Sequence, residues 1–518
     1  MFTRHSICTV VAAWLLVTVT AAPLFAADDS LVLNLRQQQK ATGAEGKWQV
    51  VEQPTAWEPK KTAVIVCDMW DKHWCENSTR RVGEMAPRMN EVVSLARSRG
   101  MFIIHCPSDT LDFYKDTPQR KLAQNAPVVE PKVPLQRWNR LDPSKEPPLP
   151  IDDSDGGCDD VPQPKSQKAW SRQHAALEIK EGDAITDSAE AYYLLRQRGI
   201  ENVIVMGVHT NMCVLGRPFS IRQLVHQGLN VALMRDMTDT MYNPAKAPQV
   251  PHVRGTDLVV EHIERYWCPT LTSSDLTGQP AFKFSDDKRP HVVFLVGEDE
   301  YKTKDTLPQF ANDELEPRGL RCTFVHSDPK QLNHFPLIKA VETADLLVIS
   351  VRRRTPPKEE LDVIRKYCAA GKPLVGIRTA SHAFAPHAKD AANPLGDTWS
   401  NFDEEILGGK YTGHYGKPKE GPNALVWSAA SDHPITANLP AGEIASSSWL
   451  YKYGELPAGS KLLMLGRVAG QPEKEPVAWV NTKRNKVFYT MLGDVNDFQQ
   501  PYFKELLRRS VFWGLEGK

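Results

Sequence analysis

The chain has 518 residues, too many for one ordinary domain, so two or three are expected. Lys plus Arg (63) balances Asp plus Glu (63), which gives no reason to expect nucleic acid or an anionic membrane as a partner. Hydrophobic residues make up 41 % and charged residues 24 %, the proportions of a soluble globular protein.

The N-terminus has the pattern of an export signal. Arg4 and His5 are basic, Ile7 to Val19 is apolar, and Leu24-Phe25-Ala26 offers a small residue for cleavage near Ala26 or Ala27. Residues 1–27 are therefore expected to be a cleaved signal peptide, with the mature protein periplasmic or extracellular. No later segment has the ~20 consecutive apolar residues of a membrane span, so no membrane association is expected after cleavage. Of nine cysteines, Cys8 falls in the signal. The others are Cys67, Cys75, Cys106, Cys158, Cys213, Cys268, Cys322 and Cys368, with no CxxC and no zinc-type spacing. An oxidising compartment would allow some to pair, but several lie in apolar strands, where burial is the simpler reading.

Residues 28–60 read as a polar lead-in. Thr62 to Cys67 is a continuous apolar run, suited to a strand buried on both faces, and it ends at Asp68. Helical periodicity from Arg80 to Arg99 stops at Gly100, and Met101 to His105 is the next strand. Strand, helix and strand at this spacing make a βαβ unit and hence a parallel sheet. From Pro127 to Pro164 the pattern breaks, with nine prolines and an acidic patch from Asp152 to Asp160; such a loop is a lid, a binding loop or a disordered insertion. A helix over Ser188 to Arg198, a strand over Asn202 to Met206, a helix over Leu215 to Gln227 and a strand over Asn230 to Met234 follow. Residues 268–288 read as a linker. Beyond it a second α/β series begins, with strands at His291–Val296, Arg321–His326, Leu346–Val351, Pro373–Ile377 and Lys486–Met491. Its helices are expected at Thr306–Glu316, Lys330–Glu342, Pro357–Ala370 and Pro501–Trp513. The fold class is α/β, with two parallel-sheet domains in tandem.

Ligands bind open parallel sheets at the carboxyl ends of the strands. Asp68, His105, Cys213 and Asp236 all fall at such ends. Cys213 opens a helix, where the partial positive charge of the helix start favours a thiolate. Acyl transfer by cysteine also needs a proton acceptor, a cation and an oxyanion site. Asp68 suits the first role, and Lys180, 33 positions before Cys213, suits the second. Arg172 is the substitute cation, although an arginine cannot shuttle protons.

The motifs VIVCDMW, NVIVMGVHTNMCV and VALMRDMTD, spanning roughly Lys61 to Tyr242, resemble those of the isochorismatase-like cysteine hydrolases. The resemblance implies a Rossmann-like domain, placed at 61–267 with the insertion at 127–165, in which Cys213 is the nucleophile, Asp68 the base and Lys180 the cation. It further implies a cis peptide near Val208–His209 and an oxyanion hole that includes the Cys213 amide. Trp70, His105, Arg172 and Asp236 are then pocket residues, Trp70 and Trp74 giving an aromatic wall suited to a planar amide or a sugar face. Nicotinamidase-type relatives bind a metal beside the triad. Asp71 and His73 are the weak candidates for that here, and packing of His73 between Trp70 and Trp74 is the preferred reading. No metal and no cofactor is expected.

The second half, 289–518, resembles the trehalose-utilisation (ThuA-like) family, a variant of the class I glutamine amidotransferase fold. The matching pieces are LGGKYTGH from Leu407 to His414, DHPI from Asp432 to Ile435, PVAW from Pro476 to Trp479 and VFYTMLGD from Val487 to Asp494. Where the amidotransferase nucleophile belongs, the chain has Gly376-Ile377-Arg378-Thr379-Ala380-Ser381-His382 and no cysteine, so glutaminase chemistry is not expected. Ser381 and His382 invite a Ser–His hydrolase reading, but neighbours in sequence rarely present their side chains to each other. Arg378, His382, His414 and Asp494 are read as a polar ligand pocket, with a carbohydrate as the candidate ligand. The resulting expectation is an exported hydrolase of an amide-type C–N bond acting on a small molecule, with homo-oligomer formation suggested by the first domain's resemblance. The alternative is a non-catalytic extracytoplasmic carbohydrate-binding protein.

Overall fold

The computed structural model describes residues 30–41, 48–392, 394–415, 424–483 and 486–517; the expected signal peptide lies outside them. No helix among them is long and apolar enough to cross a membrane.

The first unit is an eight-stranded sheet. Its strands are β1 (Leu31–Lys40), β2 (Trp48–Trp57), β3 (Thr62–Cys67), β4 (Phe102–Cys106), β5 (Ala184–Ile185), β6 (Asn202–Val208), β7 (Asn230–Asp239) and β8 (Thr270–Leu271). They lie in the order β2-β1-β8-β7-β6-β3-β4-β5. From β8 to β5 the neighbours are parallel. Alternation within the central strands splits the core into two layers. Val64, Val66, Ile204 and Met206 meet the apolar face of helix Glu76–Ser98, built from Val82, Met85, Met89, Val92, Val93 and Ala96. Ala63, Ile65, Cys67, Val203 and Val205 face the opposite layer, with Leu194, Leu224, Val259 and Ile263.

The stretch read as a lead-in is part of this sheet. Leu31, Leu33 and Leu35 alternate with polar residues, and β1 and β2 form an antiparallel hairpin that joins the sheet edge through β8. The expected linker likewise supplies β8 and the helical turn Ser274–Thr277. The hairpin also reaches the second unit: the Val50 amide donates to Gln309 Oε1 at 2.8 Å, and Glu52 meets His326 Nε2 at 3.0 Å.

The long insertion is an ordered strap without helices or strands over residues 127–164. It crosses the helices that follow β6 and β7. Buried Glu146 ties it down through His262 (2.7 Å), Trp267 (2.8 Å) and Arg222 (2.7 Å). The Asn139 amide donates to the Gly216 carbonyl at 2.6 Å.

The second unit has strands β9 (His291–Gly297), β10 (Arg321–His326), β11 (Leu346–Val351), β12 (Leu374–Ile377), β13 (Gly413–His414), β14 (Ala424–Ser428), β15 (Ile444–Ser446), β16 (Tyr451–Lys452), β17 (Ser460–Arg467), β18 (Lys474–Asn481) and β19 (Val487–Thr490). Nine of them make a sheet in the order β10-β9-β11-β12-β19-β18-β17-β14-β15, while β13 and β16 pair separately. The first five strands are parallel and the rest antiparallel. Helices Thr303–Phe310, Lys358–Ala369 and Pro501–Leu515 form as expected within a few residues. The helix expected over Lys330–Glu342 does not form; only a short 3-10 turn, Ile338–Thr343, is present. The chain is thus two α/β units in tandem, each a parallel core extended by antiparallel strands.

Candidate active site

Asp68 is the first residue beyond β3 and takes φ +46°. A left-handed backbone at a non-glycine residue costs of order 1–3 kcal/mol. Its neighbours hold it there: the Asp68 amide donates to the Cys106 carbonyl at 3.0 Å, and Asp68 Oδ1 accepts from the Ser108 amide at 2.8 Å. On the adjacent strand, Gly207 has φ +113°, and a Cβ there would lie 2.0 Å from the Cys67 carbonyl oxygen. Only glycine lets β6 pass that close to β3. The Val208–His209 peptide that follows is cis. Asn211 is fixed on both sides, by the Met241 amide (3.0 Å) and by Asp153 of the strap (2.7 Å). This turn delivers Cys213, buried, to the first position of helix Cys213–Gly216.

The cation beside these two residues is Arg217, with Nε 3.4 Å from Asp68 Oδ2. The expected single helix from Leu215 to Gln227 is broken here into Cys213–Gly216 and Ile221–His226. Pro218 is the cause. It has no amide to donate, and it pushes the residue before it out of helical space. Arg217 accordingly takes φ −66°, ψ 159°. Its guanidinium lies 5.5 Å from the Trp138 ring of the strap.

Burial is the largest influence on all three groups. It raises the Asp68 carboxyl above the usual carboxylate range, against the pull of Arg217, the Cys213 thiol and the Ser108 amide. It pushes the Cys213 thiol well up, and the Asp68 carboxylate adds to this; Arg217 offsets only part. Arg217 itself stays protonated, because Asp68 and Cys213 outweigh its own burial. Burial and the neighbouring Asp68 thus favour the thiol at Cys213 over the thiolate expected from the helix start alone.

Lys180 stands elsewhere. Its ammonium is about half exposed and pairs with Glu178 at 3.0 Å in a surface turn. Arg172 places its guanidinium over the Phe113 ring at 5.4 Å, while its carbonyl accepts from the Asp71 amide. His105 is on the same face of β4 as Ile103, opposite the Cys213 layer, and bridges Gln173 (3.1 Å) and Asp183 (3.3 Å). Asp236 is also displaced. The β6–β7 register jumps between Val205↔Leu233 and Gly207↔Thr238, and Asp236 falls in the extra length. It accepts from Ser273 and Phe282 instead. The acid that β7 carries to the site end is Asp239, held well below the usual carboxylate range by Arg81 (2.7 Å) and His252 (2.9 Å) although burial opposes this.

The aromatic wall is present and larger than expected. Trp70 stacks on Trp170 at 4.4 Å, and His73 lies against Trp170 at 5.7 Å, Trp74 at 5.4 Å and His209 at 5.0 Å. Asp71 accepts from the Ser171 and Arg172 amides, and His73 Nδ1 accepts from the Cys75 amide. Among the described residues, Cys75, Cys158 and Asp160 bring three potential ligand atoms within 4.8 Å of one another.

In the second unit Arg378 follows β12 with φ +46°. It is buried; Nη1 donates to the Met491 carbonyl at 2.8 Å, while Nε and Nη2 have no hydrogen-bond partner among the described residues. Its guanidinium is 4.0 Å from the Tyr301 ring and 5.1 Å from that of Tyr451. His382 packs on Tyr411 (4.7 Å) and Tyr451 (5.9 Å). Ser381 Oγ lies 2.9 Å from His382 Nδ1 within the 3-10 turn Arg378–His382. His414 and Asp494 are not part of this cluster. His414 is exposed and bonds the Tyr415 carbonyl, and Asp494 caps its own turn through the Asn496 amide. The buried acid nearby is Asp497, which accepts from Ser446, Ser448 and the Gly493 amide.

The family model for ThuA, described as trehalose utilisation, matches residues 281–514. No curated protein matches the chain. Among solved structures, a ThuA-like protein of Bacteroides uniformis is similar at 16 % identity, covering 46 % of this chain and 96 % of its own, with a TM-score of 0.35. A cysteine hydrolase of Pseudomonas syringae pv. phaseolicola is similar at 19 % identity, over 42 % of this chain and 92 % of its own, with a TM-score of 0.27. An isochorismatase family protein of Burkholderia thailandensis is similar at 14 % identity, over 42 % and 94 %, with a TM-score of 0.24. Residues 281–514 of this chain are thus a ThuA domain, preceded by an α/β unit with its own buried Asp–Arg–Cys cluster.

Proposed function

We propose that the first unit hydrolyses an amide-type C–N bond through Cys213. The observation that carries this reading is the contact of Asp68, Arg217 and Cys213 at the carboxyl ends of β3 and β6. Asp68 takes the thiol proton as sulfur attacks the carbonyl carbon. The Cys213 amide at the helix start polarises the carbonyl oxygen. Asp68 returns the proton to the leaving amine, leaving a thioester, and then activates the water that releases the acid. Arg217 fills the role that sequence reading gave to Lys180. It stabilises negative charge on sulfur or on the tetrahedral oxygen and carries no proton. Trp70 and Trp170 suit a small planar substrate. The buried Arg378 and its tyrosines give the ThuA domain a polar pocket for a carbohydrate or related ligand. We place the protein outside the cytoplasm on the pattern of its first 27 residues.

Ammonia release from a panel of small aromatic amides tests the proposal. Loss of turnover in Cys213→Ala with an unchanged circular dichroism spectrum supports it; full activity in that variant overturns it. A second reading, in which both units only bind carbohydrate, is favoured by the placement of Lys180 away from the cluster. Oligosaccharide binding by calorimetry, with no turnover of any amide, would favour that reading.

A further inference from the structure

We propose that Cys75, Cys158 and Asp160 form a binding site for a zinc-class divalent ion that fastens the strap to the first unit. The thiol and carboxylate ligand atoms all lie within 4.8 Å of one another. Both cysteines are fully buried. Cys75 Sγ is also 3.7 Å from Asp159 Oδ1. Two thiols converging on one carboxylate are what a thiolate metal site looks like with protons in place of the metal.

The surrounding charge favours a cation. Asp159 is engaged by Arg81 through two hydrogen bonds of 2.8 and 3.0 Å, and Arg81 is shared with Asp239. Among the described residues no ion pair engages Asp160. Its oxygens accept the Glu76 and Asn77 amides at 2.6 and 2.9 Å, which orient the carboxylate and leave lone pairs free. Thiolate ligands select zinc over magnesium or calcium. Zinc–sulfur bonds of about 2.3 Å and a zinc–oxygen bond of about 2.0–2.2 Å require the three atoms to close by roughly 1 Å. On binding, each thiol releases its proton to solvent, two Zn–S bonds and one Zn–O bond form, and water takes the fourth position. The 83-residue separation of Cys75 and Cys158 is why no spacing motif announces the site.

The ion would tie the strap to the start of helix Glu76–Ser98. Cys75 immediately precedes helix Glu76–Ser98, and Cys158 lies in the strap next to Gly157, which packs on Met241. Through Asp153 and Asn211 the same strap segment holds the turn before Cys213.

Metal analysis of protein purified without chelators tests this, with one zinc per chain expected. Exchange with cobalt should give a thiolate-to-cobalt charge-transfer band that is lost in Cys75→Ser and Cys158→Ser and kept in Cys213→Ser. Should the cysteine variants fail to fold, Asp160→Asn retains both thiols and should weaken zinc binding at least tenfold. Three results would overturn the proposal: eight free thiols with no metal bound after zinc titration, a Cys75–Cys158 disulfide by mass spectrometry, or a cobalt band that survives loss of either cysteine.

Discussion

The two halves solve the same backbone problem and put opposite charges on it. In each, the residue just past a central parallel strand takes a left-handed backbone at φ +46°, Asp68 after β3 and Arg378 after β12. In the first half the projected group is an acid, and a cysteine and an arginine meet it. In the second it is a guanidinium boxed by tyrosines, with two nitrogens unpartnered among the described residues. A strained turn at a strand end presents a side chain to a crevice, but the residue presented decides what the crevice can do. On the proposed reading, the first arrangement attacks a carbonyl. The second can hold an anionic or strongly polar group and has no nucleophile on the strained residue.

Replacing the chemical groups in each half should separate the two. Cys213→Ala should lower amide turnover by about 10³-fold or more. Ser381→Ala, in the other half, should leave it unchanged; a comparable loss there would erase the distinction. Arg217→Gln should cost on the order of 10²-fold in kcat, with Arg217→Lys recovering part, measured by steady-state kinetics. Since burial raises the Asp68 carboxyl, its base form is lost as pH falls through a value above the usual carboxylate range. The acid limb of kcat/KM should therefore lie above pH ~4. Cys213, pushed up by burial and by Asp68, should be alkylated slowly by iodoacetamide at neutral pH and faster as pH rises. Asp68→Asn removes the like charge and should speed neutral-pH labelling by about tenfold for each unit the thiol falls. Lys180→Ala should change turnover less than ~2-fold and stability by under ~0.5 kcal/mol. A large loss would return the cation role to Lys180.

Much of this was legible in the chain. Continuous apolar runs marked β3, β6, β9 and β11, because strands buried on both faces need no polar alternation. Asp68 and Cys213 could be read from strand ends and motif. Arg217 could not be read by resemblance, yet its signal was present: a basic residue four positions after Cys213 and directly before Pro218, whose ring denies it helical space. The displacement of Asp236 depends on a register jump between two strands, which no single-strand pattern encodes. The hairpin β1–β2 was hidden by its polar residues: the buried Leu31, Leu33, Leu35, Val50 and Trp57 are spread among them, and Arg36 and Gln38 are themselves buried. His105 shows the limit of counting strand ends, because the alternation of β4 sends it to the other side of the sheet. Ser381 and His382 show the reverse: these sequence neighbours do meet, at 2.9 Å.

The hairpin has a consequence for how the molecule can be divided. Arg36 on β1 lies 3.4 Å from Glu264 of the first unit and 3.4 Å from Glu316 of the second. Glu52 on β2 reaches His326 on the edge strand of the second sheet. Without the hairpin, Glu316 and His326 lose these partners and Gln309 loses the Val50 amide. Residues 281–514 expressed alone should therefore melt well below the intact chain, and the two units should unfold in one calorimetric transition. The ThuA domain carried here is fitted to its neighbour and would not be portable as a free module.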